Sequence, residues 1–273
     1  MVQIVAICNQ KGGVGKTTLT INLGAALADL GQRVLLIDLD PQGHLTEGVG
    51  LEEAYLGGKP SIYDCLVENK ETKSTKITDL IHKNSAERFS VIPATYQLML
   101  AEQALFMARN REHKLKNLLA TLDGQYDWIL IDCPPALGNL TDNALNASRQ
   151  VVVPIQAEQT SVRALELLFD QIESVERGLG IHVRVLAVVP NLVQDSALSK
   201  RILGQIKESI SEVTPFELRK RVLLQEAWSA GKSIFTYHPT STAQLHNRSE
   251  LTTMYRQLAE IVMERAEGPT NGR

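Results

Sequence analysis

The run Lys11-Gly12-Gly13-Val14-Gly15-Lys16-Thr17-Thr18 leaves few folds open to this chain. Three glycines in four residues let successive backbone N–H groups curl around an anion, because side chains would obstruct that approach. An apolar run, Gln3–Cys8, precedes the segment and reads as a strand. An amphipathic stretch from Lys16 to Leu30 follows and reads as a helix stopping at Gly31, a residue that tolerates the left-handed conformation at a helix end. The helix start adds partial positive charge where phosphates would sit. Gly12, Gly13, Val14, Gly15, Lys16, Thr17 and Thr18 are therefore candidate nucleotide-binding residues. Lys16 is spaced to reach β- and γ-phosphates, and Thr17 to offer a hydroxyl to Mg²⁺.

Further apolar runs of strand length occur at Arg33–Ile37, Phe89–Ile92, Trp128–Ile131, Gln150–Ile155 and Val183–Val189. Helical periodicity covers Tyr96–Arg109, Glu112–Leu122, Ser161–Arg177 and Ser196–Glu212, and a last helix runs from about Ala243 to Ala266. This alternation predicts an α/β fold, a mostly parallel twisted sheet with helices on both faces. The chain has 273 residues, with no internal repeat and no long linker. One domain is expected over 1–266, followed by a disordered tail over 267–273.

Hydrophobic residues make up 44% and charged residues 22%, which excludes a disordered or fibrous chain. No apolar stretch approaches the ~20 residues needed to cross a bilayer. The N-terminus lacks the basic start of a signal peptide, so a cytoplasmic protein with no integral membrane segment is expected. Cys8, Cys65 and Cys133 are the three cysteines, at spacings that give neither a disulfide framework nor a zinc site. Net charge is −3, so no global basic field points to nucleic acid. Charge is uneven, however: residues 196–232 hold seven basic against four acidic side chains, a local +3.

Two acidic segments end apolar runs. Leu35-Leu36-Ile37-Asp38-Leu39-Asp40-Pro41-Gln42-Gly43 places two carboxylates at the carboxyl end of a strand, where α/β sheets bind ligands. Asp38 and Asp40 point the same way if the extended geometry persists. Trp128-Ile129-Leu130-Ile131-Asp132-Cys133-Pro134-Pro135 is a second such strand, closed by an acid and two prolines.

The glycine segment resembles the deviant Walker A motif of the ParA/MinD family of P-loop ATPases. It has Gln10 where the ordinary loop has glycine, and a second lysine, Lys11, five residues before Lys16. In that family the early lysine reaches across a two-fold interface to the partner's nucleotide, and the resemblance implies this role for Lys11. One charge pair at ~4 Å is worth roughly 4 kcal/mol gross at an effective dielectric of ~20, and symmetry doubles it. The two pairs together give about 8 kcal/mol before desolvation is subtracted, and reversing a 1:99 equilibrium needs about 5.5 kcal/mol, so losing a substantial part of that attraction could switch dimerisation.

The same resemblance assigns other residues. Asp40 would position the attacking water, and Lys11, Lys16 and Asp40 form the catalytic set. Asp132, in a Walker B segment followed by the second switch, would hold Mg²⁺ through water or Thr17, with Asp38 a secondary metal candidate. Asn191 matches the family's adenine contact, an amide that both donates and accepts. Glu158 falls where relatives place a residue near the dimer interface.

The resemblance extends through Gln225-Glu226-Ala227 to the last helix and is to the short, Soj-like ParA type. It implies an ATP- and Mg²⁺-dependent homodimer, sequence-neutral binding to double-stranded DNA, stimulation by a ParB-like protein, and nucleoid association when ATP is bound. Arg219, Lys220, Arg221, Lys200 and Arg201 are the DNA candidates. Three departures stand out: His44 replaces the usual asparagine after Pro-Gln-Gly, Leu223 replaces a DNA-binding arginine, and Trp228 replaces a proline. The alternatives are a MinD-like membrane-cycling ATPase and a metabolic or iron–sulfur enzyme on the same scaffold. The first needs a basic amphipathic C-terminal helix, whereas Leu251–Arg265 balances Arg256 and Arg265 against Glu260 and Glu264.

Overall fold

Seven strands form one sheet in the order β3-β4-β2-β5-β1-β6-β7 in the computed structural model, which describes residues 2–57, 60–67 and 75–268. The strands are β1 (Gln3–Ile7), β2 (Val34–Asp38), β3 (His82–Asn84), β4 (Phe89–Ile92), β5 (Trp128–Asp132), β6 (Gln150–Ile155) and β7 (Arg184–Pro190). All neighbours pair in parallel except β3, an antiparallel edge strand against β4. The strand runs thus match the sequence expectation within a residue or so. The three-residue β3 is an addition, too short to leave an apolar signature.

Every residue of β2, β4 and β5 is buried, because helices cover both faces. Side chains alternate accordingly. Val5 and Ile7 of β1 and Val34 and Leu36 of β2 join one core, with α1 (Lys16–Asp29) and the last helix. Ala6, Cys8, Leu35 and Ile37 join the other, where the middle helices pack.

Between β2 and β4 lie three short helices, α2 (His44–Gly48), α3 (Glu52–Tyr55) and α4 (Ile62–Leu66). The helices expected over Tyr96–Arg109 and Glu112–Leu122 are shorter and mixed. A 3₁₀ turn over Tyr96–Leu100 leads into α5 (Ala101–Phe106), and 3₁₀ turns flank α6 (Lys114–Leu119). Then come α7 (Asn139–Ser148), α8 (Gln159–Leu179), α9 (Ala197–Ser209), α10 (Val222–Ser229) and α11 (Thr242–Glu267). Helix α9 stops before Ile210, which adopts an extended conformation, so the predicted end at Glu212 is three residues too long.

Helix α11 buries Leu251, Tyr255, Leu258 and Val262 against α1 and the sheet. It continues through Glu267, one residue into the segment expected to be disordered, while residues 269–273 lie outside the described residues. Among the described residues, no helix is long and apolar enough to cross a membrane.

Candidate nucleotide site

The carboxyl ends of β1, β2, β5 and β6 all feed loops to one edge of the sheet, and a cleft of about 910 Å³ opens there. Its floor is the glycine segment. Gly15 caps α1 with φ +84°, a conformation that residues with a Cβ rarely adopt, and an added methyl would meet the Asn191 amide. Nothing lies within 4 Å of where a Cβ would stand at Gly12 or Gly13, so the cradle is open towards the cleft.

Several side chains hold the cradle in shape from behind. Asn9 donates from Nδ2 to the Pro154 carbonyl at 2.7 Å and accepts from the Lys11 N–H at 2.9 Å. Gln156 Nε2 donates to the Gly13 carbonyl at 3.0 Å. Asn191 is buried, and its Nδ2 donates to the Val14 carbonyl at 2.8 Å. The family resemblance implies a base contact for Asn191; in this structure its amide donor also braces the loop, and its neighbours Leu192 and Gln194 line the cleft.

Lys16 opens α1 almost fully buried, with Nζ 3.4 Å from the Lys11 carbonyl. Thr17 Oγ1 donates to Asp132 Oδ2 at 2.7 Å, and Thr20 Oγ1 donates to Asp132 Oδ1 at 3.1 Å. Burial pushes the Asp132 carboxyl well above the usual range, opposed by the Thr17 hydrogen bond and the Lys16 charge. The hydroxyl and carboxylate expected to share a magnesium ion are thus already in contact. That donor set, hard oxygens beside a phosphate cradle, suits Mg²⁺.

The two aspartates of the β2 loop do different things. Asp38 is fully buried, and its carboxylate accepts from the Thr46 N–H and hydroxyl at 2.8 and 2.7 Å and from the Asp40 N–H at 3.2 Å. It is raised by burial and by Asp132, its register partner across the β2–β5 pair. Neither Asp38 nor Asp132 is among the residues lining the cleft; the Asp38 oxygens are engaged by Thr46 and Asp40 and fasten the start of α2. Asp40 does line the cleft and accepts from the Gln42 N–H at 3.0 Å.

At the rim, Lys11 Nζ contacts Glu158 Oε2 at 2.5 Å, joining two residues predicted at a dimer face within one chain. The basic candidates divide. Lys220 and Arg221 line the nucleotide cleft itself. Arg221 pairs with Glu250 at 3.1 Å and Lys200 with Asp195 at 2.7 Å, whereas Arg201, Arg219 and Lys220 are exposed and form no salt bridge among the described residues. Leu223 is turned into the core. Trp228 lines the cleft and donates from Nε1 to the His44 carbonyl at 3.0 Å. Gln156, Thr20 and Thr46 were not singled out from sequence; only Gln156, at the carboxyl end of a parallel strand, carried a positional signal.

The thiols of Cys8 and Cys133 are buried 3.1 Å apart beneath the cradle, and Cys65 is buried near Thr75. Among the described residues, no group of three or more His, Cys, Asp or Glu is placed to hold a metal ion.

A protein-family model described as an AAA domain matches residues 2–185. The chain is 40% identical over 243 residues to the sporulation initiation inhibitor protein Soj of Bacillus subtilis, spanning 88% of this chain and 93% of that protein. It is 37% identical over 240 residues to the chromosome partitioning protein ParA of Myxococcus xanthus, spanning 86% and 81%. Its fold matches a crystal structure of cobyrinic acid a,c-diamide synthase from Mycobacterium smegmatis with bound ATP analog and magnesium. That match has a TM-score of 0.78 at 29% identity, over 98% of this chain and 97% of the other.

Proposed function

The chain belongs to the ParA/MinD family, among the Soj-type ParA partitioning proteins, and on that premise we propose that it is a magnesium-dependent ATP hydrolase working as a nucleotide-gated dimer on DNA. ATP would join two copies, the dimer would bind duplex DNA without sequence preference, and hydrolysis, stimulated by a ParB-like protein, would release it. The cycle would move a DNA or protein cargo in the cytoplasm over the nucleoid.

One observation carries the hydrolytic part: the glycine cradle, Thr17 and Asp40 line a single cleft, with Asp132 buried behind Thr17 and bonded to its hydroxyl. In-line transfer of a phosphoryl group to water asks mainly for positioning and charge. The cradle N–H groups and Lys16 bind and orient the triphosphate, and Asp40 orients the water. Thr17 and Asp132 would hold the magnesium ion, which supplies charge neutralisation on the β- and γ-phosphates. For Lys11 to reach a partner's phosphate it must leave Glu158, an exposed pair worth at most about 1 kcal/mol. A phosphate competes easily with such a partner.

The DNA part rests on Arg201, Arg219 and Lys220, exposed and without salt bridges among the described residues, since phosphate contacts supply most sequence-neutral affinity. A membrane-cycling role is less well supported, because the apolar stripe of α11 is occupied by the core. The test is phosphate release together with sedimentation in ATP and in ADP, with and without duplex DNA. Hydrolysis without any second small substrate also separates this function from the amidation named for the M. smegmatis relative.

A further inference from the structure

Two of the departures from the family pattern, His44 and Trp228, touch each other. The Trp228 indole N–H donates to the His44 carbonyl across 184 residues of sequence. His44 opens α2, directly after the loop that carries Asp40. Gly48, at the far end of α2, is buried beneath the ring, and a methyl group there would run into the indole. The ring therefore has a fitted seat: a backbone acceptor at one end of α2 and a side-chain-free position at the other.

Helix α10 presents Arg221, Leu224, Gln225 and Trp228 to the cleft, at the three- and four-residue spacing of one helix face. Leu223 and Ala227, on its other side, are held in the core. The helix thus carries Lys220 and Arg221 at its head and the Asp40 loop at its tail. The loop is also held from within residues 38–55, by Thr46 on Asp38 and the Tyr55 hydroxyl on the Pro41 carbonyl at 3.0 Å, and from the sheet side, by the Leu39 N–H on the Asp132 carbonyl at 3.0 Å and the Ala94 N–H on Thr46 Oγ1 at 2.8 Å. Trp228 is its fastening to α10.

We propose that Trp228 is a positioning residue that holds the Asp40 loop against α10, so that the seating of Asp40 and the placement of Lys220 and Arg221 are set by one movement. The proposal rests on the hydrolytic function above and adds a coupling to it, which linkage makes reciprocal for binding at the two ends of the helix.

Trp228→Phe keeps a ring but removes the donor. It should lower kcat for ATP hydrolysis about fivefold, the worth of one ordinary hydrogen bond, while KM stays within about twofold because the cradle is untouched. Gly48→Ala displaces the ring and should reproduce the fall, and the two changes together should do no more than either alone. A spectroscopic measurement needs neither variant. In a Trp128→Phe protein Trp228 is the sole indole, since the chain has two tryptophans. Its emission should shift between ADP and a non-hydrolysable ATP analogue. A lowered unfolding midpoint with unchanged kcat, or identical emission in the two nucleotides, would overturn the proposal. Failure of the unaltered protein to hydrolyse ATP would instead overturn the hydrolytic function beneath it.

Discussion

Lys11 Nζ and Glu158 Oε2 lie 2.5 Å apart, an ion pair that joins the phosphate loop to the N-cap of α8 within one chain. Lys11 is the residue that the family resemblance assigns to a partner's nucleotide, so in the proposed dimer that contact would compete with this internal pair. Glu158→Gln removes the competing charge. The ATP-dependent dimer should then form at a protein concentration a few-fold lower by light scattering, consistent with an exposed pair worth under about 1 kcal/mol. An unchanged or higher concentration would show that Glu158 does not restrain Lys11.

Asp40 lines the cleft from a loop whose anchor is Asp38 rather than Asp40 itself. Asp40→Ala should therefore fold and hold ATP with near-normal affinity, while kcat falls by about a hundredfold, the scale of a lost positioning group. Calorimetry for ATP affinity and a phosphate-release assay separate the two quantities. Normal turnover would remove Asp40 from the reaction.

The buried pair Asp38 and Asp132 predicts a pH dependence. Burial raises both carboxyls; the Asp132 charge further raises Asp38, and the Asp40 charge further raises Asp132. The folded, nucleotide-free protein therefore holds protons that the unfolded chain gives up near pH 4, and stability declines as pH climbs from there through neutrality. In EDTA the urea midpoint should be lower at pH 8 than at pH 5.5. Asp38→Asn, which keeps an acceptor for Thr46, should flatten that slope. A midpoint that rises with pH in the unaltered protein would contradict it.

The basic residues predict graded effects on DNA. Arg219 is exposed and forms no salt bridge among the described residues, whereas Arg221 is tied to Glu250. Arg201→Ala with Arg219→Ala should weaken retention on duplex DNA in ATP and make the salt dependence shallower by up to about one per lost contact. Equal retention and slope would move the DNA face elsewhere.

The glycine segment was legible because backbone geometry dictates residue type there, and the strands because burial on both faces demands continuous apolar runs. Helix α7 was not. Its Asn143 and Asn146 face inward and donate to the Arg111 and Glu112 carbonyls at 2.8 and 2.6 Å, which breaks the apolar period. Helices α2, α3 and α4 are only four or five residues long, too short for any period to show. The roles of Asp38 and Asn191 as braces depend on Thr46 and Val14 and follow only from the folded chain. The Trp228–His44 contact spans the chain, so sequence marks both as departures without joining them.

The proposed joining of two copies through Lys11 is tested most directly by sedimentation velocity in ATP and Mg²⁺, comparing Asp40→Ala with Asp40→Ala carrying Lys11→Ala. The first protein should form a stable dimer, and the second should stay a monomer that still binds ATP. A dimer of equal stability in both would contradict it.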